Sequence, residues 1–145
     1  MTVLYEELKL ENQLCFPLYA AAKEVVKRYR PHLDALDLTY TQYITMMVMW
    51  EGKQVSVKEL GERLFLDSGT LTPVLKSLEA KGYIARHRST ADERVLLVTL
   101  TKEGEALQAR AAGVPQAVAG CMTLEADEAA TLYTLLYKIL GNTEK

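Results

Sequence analysis

Apolar residues recur at helical spacing near both ends of the chain. Leu14, Leu18, Ala22, Val25 and Tyr29 form one stripe, predicted to run until Pro31 interrupts it. Thr39 and Gln42 have capping-box spacing and open a helix through Trp50, which Gly52 ends. Ser56 and Glu59 repeat that signature ahead of a short helix with Val57, Leu60 and Leu64 inward. Asp67 and Ser68 are N-cap candidates for the next helix, where Leu71, Val74, Leu75 and Leu78 share one face. Lys81 and Gly82 stop it.

The period changes after Gly82. Tyr83–Arg88 and Arg94–Leu100 are rich in β-branched and large residues and flank a five-residue polar loop, 89–93. That is a hairpin too small to stand alone. Thr101 caps a further helix, which Gly113 and Pro115 disturb. Thr123 opens the last one, with Ala129, Leu132, Leu136 and Ile139 on one face. Residues 56–100 thus read helix, a turn at Phe65-Leu66, helix and hairpin. So short a turn forces its helices to cross steeply, which makes a winged helix-turn-helix. The expected fold class is mainly α with a small β-hairpin wing.

Composition narrows the reading. A chain of 145 residues, 49% hydrophobic, suits one domain over 1–145 and is short for an α/β barrel or a two-domain dinucleotide enzyme. No apolar run approaches the roughly 20 residues that span a bilayer. The acidic N-terminus lacks a signal-peptide pattern, so no membrane partner and a cytoplasmic location are expected. Two distant cysteines make neither a disulfide scaffold nor a zinc pair, and only His32 and His87 could add imidazoles. No metal and no cofactor are expected.

Charge is uneven. Residues 53–94 carry eight Lys/Arg against six Asp/Glu, whereas the flanks are acidic and the whole chain is −2. A mildly basic centre in an acidic frame fits a module that faces double-stranded DNA. On its second helix Ser68, Thr70, Thr72, Pro73 and Lys76 lie on or near the side opposite the leucines. Small hydroxyls and proline methylenes suit base edges and thymine methyls, and lysine suits phosphate or guanine. On the hairpin, Arg86 and Arg88 share a strand. Arg94 follows the tip, where it can enter a narrow minor groove with Asp92 holding it extended.

The runs Leu64–Lys76 and Leu78–Ile84, then Asp92-Glu-Arg94 and Leu100-Thr-Lys-Glu-Gly104, resemble the MarR family of winged-helix regulators. The resemblance implies a homodimer with interleaved terminal helices (1–50 and 101–145). Each lobe (53–100) would read one half-site of a pseudopalindromic operator.

A second constellation lies upstream. Pro17 marks the first turn of a helix, so Cys15 falls at or just before that helix's positive end, where thiolate is favoured. The other reading of a lone cysteine is a small buried hydrophobe. Eight tyrosines stand against two phenylalanines, and Tyr19, Tyr29 and Tyr40 belong to the helices expected around Cys15. A phenol can donate to a sulfur anion or its oxidised oxygen; phenylalanine cannot.

The segment Gln13–Tyr19, with Tyr29-Arg-Pro31, Leu38–Tyr43 and Trp50-Glu51, resembles the organic-hydroperoxide-sensing (OhrR) branch of MarR. The resemblance implies that Cys15 senses the peroxide and that Tyr29 and Tyr40 hydrogen-bond its sulfur across the dimer interface, with Tyr19 contributing. The function so implied is a repressor that releases its operator when an organic hydroperoxide oxidises Cys15. Some members then use a low-molecular-weight thiol. Others use a second cysteine near the end of the penultimate helix, the neighbourhood of Cys121, as the resolving partner. Two alternatives remain at this point. One is a MarR-type repressor of phenolic or drug-like ligands with Cys15 structural. The other is a thiol peroxidase, for which the chain lacks the thioredoxin-like βαβ pattern; no catalytic residues are expected.

Overall fold

The computed structural model describes residues 5–141. Two 3₁₀ turns, Glu6–Leu8 and Leu10–Asn12, precede α1 (Cys15–Asp34) and α2 (Tyr40–Gly52). Then come β1 (Gln54–Ser56), α3 (Val57–Leu64), α4 (Ser68–Ala80), β2 (Ile84–Arg88) and β3 (Leu96–Leu100). Helices α5 (Lys102–Ala111), α6 (Val114–Ala119) and α7 (Ala126–Ile139) close the chain.

Local chemistry explains most boundaries. Thr39 and Gln42 form the reciprocal capping box of α2, and Ser56, Asp67 and Thr101 cap α3, α4 and α5. The α3–α4 turn passes close over Gly61, where an added Cβ would lie 2.9 Å from the Leu66 carbonyl oxygen. The core joins Leu60, Leu71, Leu75, Leu78, Ile84 and Val98 of the winged lobe to Tyr43, Met46 and Met49 of α2. Burying such side chains contributes roughly 1.5–3 kcal/mol each. That is what gives the small sheet its stability.

Several boundaries differ from the sequence expectation. Pro31 does not interrupt α1, which runs on to Asp34. Placed in the last turn, the proline removes one helical hydrogen bond, and Leu33 just beyond it is drawn into the core with Leu36 and Leu38. Helix α2 runs past Trp50 and ends at Gly52, with Lys53 as its C-cap at φ 62°. The Lys53 N–H donates to the Met49 carbonyl and its own carbonyl accepts from the Leu100 N–H, so strand pairing holds the left-handed residue.

The hairpin is a three-stranded antiparallel sheet of order β1-β3-β2, with Val55 opposite Val98. A strand of three residues is too short to display a two-residue period. The loop is also longer than five residues, running over 89–95 and closed by the Ser89 N–H to the Val95 carbonyl at 2.8 Å. Finally, Thr123 does not open α7. It takes φ 57°, and Glu125 forms the capping box with Glu128.

Helix α7 buries none of its residues in this protomer, and Leu132, Leu135 and Ile139 stand exposed. Phe16, Leu18 and Val26 of α1 are exposed as well. Apolar stripes of this kind mark surfaces that another chain covers. Among the described residues, no helix is long and apolar enough to cross a membrane.

Candidate DNA-reading and thiol sites

The cap of α4 sets the first site. The Asp67 carboxylate accepts from the Thr70 N–H at 2.8 Å, and that backbone bond chiefly holds its pKa below the usual value. The first turn of α4 thereby presents Ser68 and Thr70 to solvent, with Pro73 and Lys76 exposed further along and Thr72 half-buried. Pro73 lies inside the helix, where it removes the hydrogen bond to the Gly69 carbonyl without ending α4.

The three wing arginines differ in their surroundings. Arg86 is engaged by Glu79 of α4: its backbone N–H reaches Oε2 at 2.9 Å, and its guanidinium reaches Oε1 at 2.9 and 3.2 Å. These bonds, the backbone one foremost, hold the Glu79 carboxyl below the usual range and fasten α4 to β2. Sequence grouped Arg86 with the DNA-facing residues; its partner Glu79 was missed, because a β-strand arginine and a helix glutamate show no periodic relation. Arg88 is exposed. The Arg94 side chain is 90% exposed, with Nε on Asp92 Oδ1 at 3.1 Å and Nη2 on Oδ2 at 3.2 Å. The Arg94 backbone N–H adds a third bond to Oδ1, and together these lower the Asp92 pKa. The tip arginine is thus aimed outward by its own loop.

The thiol site is split within one protomer. Cys15 is the first residue of α1 and is exposed. Tyr19 lies one turn further on the same face, with the Lys23 ammonium 5.1 Å from its ring centre. Tyr29 is fourteen residues beyond Cys15, about 21 Å along the axis. There Tyr29 meets Tyr40 edge to face at 5.0 Å, and both meet Tyr43, at 5.7 and 6.2 Å.

Tyr43, which is 2% exposed, was not among the expected site residues. Its i, i+3 spacing from Tyr40 on a capped helix was the available signal. Burial raises the pKa of all three phenols, so all three stand protonated near neutral pH.

Cys121 lies two residues past α6, exposed, with its carbonyl accepting from Arg28 Nη1. Arg28 is thirteen residues beyond Cys15, about 20 Å along α1. Even an Arg28 side chain reaching fully back leaves the two cysteines of one chain beyond the roughly 7 Å Cα separation that a disulfide allows.

The family described as transcriptional regulator SarA/Rot matches residues 22–110. The fold aligns with a mutant of the MarR regulator of E. coli, solved with operator DNA, at TM-score 0.82 and 30% identity over 96% of this chain and 99% of that one. The chain belongs to this family of MarR-type winged-helix transcriptional regulators.

The regulator is 44% identical to the organic hydroperoxide resistance transcriptional regulator of Bacillus subtilis, over 94% of this chain and 92% of that protein. It also aligns with AbfR of Staphylococcus epidermidis at TM-score 0.73 and 35% identity, over 94% of each chain. AbfR has been solved bound to DNA in reduced form and in a disulfide-formed state. In the regulator described here a cavity of about 450 Å³ adjoins the tyrosine cluster, lined by Tyr43, Met47, Trp50, Gln108 and Pro115 among others.

Proposed function

We propose that this regulator is a homodimeric repressor that leaves a pseudopalindromic operator when an organic hydroperoxide oxidises Cys15. The observation that carries the reading is the split site. An exposed sulfur stands at the N-terminus of α1, and the clustered phenols of the same chain lie about 21 Å away. A second protomer, docked through the uncovered faces of α1 and α7, completes the site with the partner subunit's Tyr29 and Tyr40. Tyr19, one turn from the sulfur, contributes from the same chain.

In the reaction the Cys15 thiolate attacks the terminal oxygen of the hydroperoxide. An S–O bond forms as the O–O bond breaks, giving sulfenic acid, and the alkoxide leaves and takes a proton to become the alcohol. Sulfur loses two electrons and the peroxide gains them. Protonated phenols at the sulfur stabilise the oxygen that develops negative charge. The partner subunit's Cys121 thiol then displaces water from the sulfenic acid to form an intersubunit disulfide; a low-molecular-weight thiol would instead give a mixed disulfide. Either product shifts the equilibrium only as far as it favours the geometry that cannot hold DNA. On the DNA, Ser68, Thr70, Thr72, Pro73 and Lys76 face the major groove and Arg94 the minor groove. Arg88 reaches backbone phosphate, and Arg86, engaged by Glu79, keeps the wing against the recognition helix.

The test uses a duplex selected by the reduced protein from a random-sequence pool. Cumene hydroperoxide should release wild type from it and leave Cys15→Ser bound. A non-reducing gel separates the two thiol routes, a covalent dimer marking Cys121. Wild type that stays bound after stoichiometric oxidation would refute the switch.

The cavity beside Tyr43 favours a second reading, in which a phenolic or drug-like ligand relieves repression and Cys15 is structural. Ligand-driven release that persists in Cys15→Ser would establish it.

A further inference from the structure

One buried polar group lies outside both sites. Gln42 is 7% exposed and sits between Tyr40 and Tyr43 in sequence. Its Nε2 donates to Ser77 Oγ of α4 at 2.8 Å, and its Oε1 accepts from the Thr39 N–H at 3.0 Å and from Lys81 Nζ at 3.1 Å. Lys81, the C-cap of α4, also donates to the Asp37 carbonyl and lies 3.6 Å from its carboxylate. Asp37 occupies the α1–α2 corner at φ 55°, a left-handed conformation that an L side chain rarely adopts. The corner that carries Tyr29 on one arm and the Tyr40–Tyr43 pair on the other is therefore fastened by a polar node to the C-terminal end of the recognition helix.

A cap alone does not account for this arrangement. Thr39 and Gln42 complete the capping box by themselves. Burying an amide in a leucine core is costly unless all its partners are present. The bonds to Ser77 and Lys81 cross from α2 to α4, between the phenols and the DNA-facing helix, and they are directional where the surrounding apolar contacts are not.

We infer that Gln42, Ser77 and Lys81 are the positioning node through which a displacement of the tyrosine cluster turns the recognition helix. The inference rests on Cys15 being the sensor and names what carries its signal. Oxidation at the sulfur moves Tyr29 and Tyr40. Their two helices share the corner that the node holds, and α4 follows because its last turn is hydrogen-bonded to it. Without the node, α4 would keep its core contacts and its DNA contacts but lose its link to the phenols.

The experiment compares wild type, Ser77→Ala, Lys81→Met and Ser77→Thr. Ser77→Ala replaces a weaker helix former with the strongest, so α4 itself persists, and Ser77→Thr keeps the hydroxyl. Two readouts are taken: Cys15 sulfenate formation with cumene hydroperoxide, followed by a sulfenate-trapping reagent, and affinity for the selected duplex before and after oxidation. Ser77→Ala and Lys81→Met should oxidise at the wild-type rate and bind reduced within about threefold of wild type. Their ratio of reduced to oxidised affinity should shrink about tenfold, within the range by which intermediate residues tune coupling. Ser77→Thr should keep the wild-type ratio. A merely structural role would weaken both states together and leave the ratio intact, and that result would overturn the inference. So would an equal loss of coupling in Ser77→Thr. Should wild type itself keep the duplex after oxidation, the sensor reading falls and the node falls with it; a responsive wild type beside equally responsive variants defeats the node alone.

Discussion

Cys15 and Tyr29 stand on one helix, fourteen residues apart, and that rigid spacing of about 21 Å keeps the sulfur from the clustered phenols of its own chain. The α1 helix has no break that could fold one onto the other, since Pro31 lies beyond Tyr29 and leaves the helix continuous. Geometry therefore makes the proposed sensor a property of two chains, and it dictates a complementation test. A mixed dimer is assembled from one chain carrying Cys15→Ser and one carrying Tyr29→Phe with Tyr40→Phe. Its sole sensing sulfur sits on the chain that lacks the Tyr29 and Tyr40 hydroxyls, yet faces the intact pair of the other. That sulfur should oxidise at the wild-type rate, whereas the doubly phenylalanine homodimer should be slower by about tenfold or more, as for loss of a charged hydrogen bond worth roughly 1.5–3 kcal/mol. Slow oxidation in both would place the phenols in cis and refute the arrangement.

The wing tip yields a separate prediction. Asp92 binds both the backbone and the guanidinium of Arg94, so the loop holds that side chain extended before DNA arrives. Arg94→Ala should lower affinity for the selected duplex by about ten- to a hundredfold. Asp92→Asn should cost less, because it loosens the arginine without removing its charge. Fluorescence anisotropy over a salt series reads both. Affinity unchanged in Arg94→Ala would remove the wing from the interface.

Sequence disclosed most where local chemistry decides structure. The caps at Thr39, Ser56, Asp67 and Thr101, the leucine face of α4 and the short turn at Phe65-Leu66 all follow from side chains within a few residues of each other. It disclosed least where a distant contact overrides a local preference. Lys53 is left-handed because Leu100 pairs with its carbonyl, and β1 is a strand only because β3 lies beside it. The same division holds at the candidate sites. Asp92 and Arg94 were legible as neighbours in a loop. The Glu79–Arg86 pair and the bond from Gln42 to Ser77 arise between elements and leave no periodic trace, whereas Tyr43 left only its i, i+3 spacing from Tyr40. The tyrosines announced themselves by their number; what brings Tyr29 to the Tyr40–Tyr43 pair is the packing of α1 on α2.

That cluster also has a pH signature. Burial raises the pKa of Tyr29, Tyr40 and Tyr43, and for Tyr40 and Tyr43 the neighbouring phenols add to the rise. Phenols whose folded pKa exceeds the unfolded value of about 10 bind more protons folded than unfolded across that interval. Their contribution to stability is complete below about pH 10 and is lost as pH climbs through the raised folded values. Titration of phenolate absorbance should show a subset of the eight tyrosines ionising later than the rest, and Tyr43→Phe should remove one of them. Stability measured by denaturant should fall on the alkaline side of pH 10, with a shallower slope in Tyr43→Phe. If all the tyrosines titrated together at the ordinary value, the cluster would not be the partly buried, mutually packed group found here, and its phenols would offer the proposed sensor no environment that a surface tyrosine lacks.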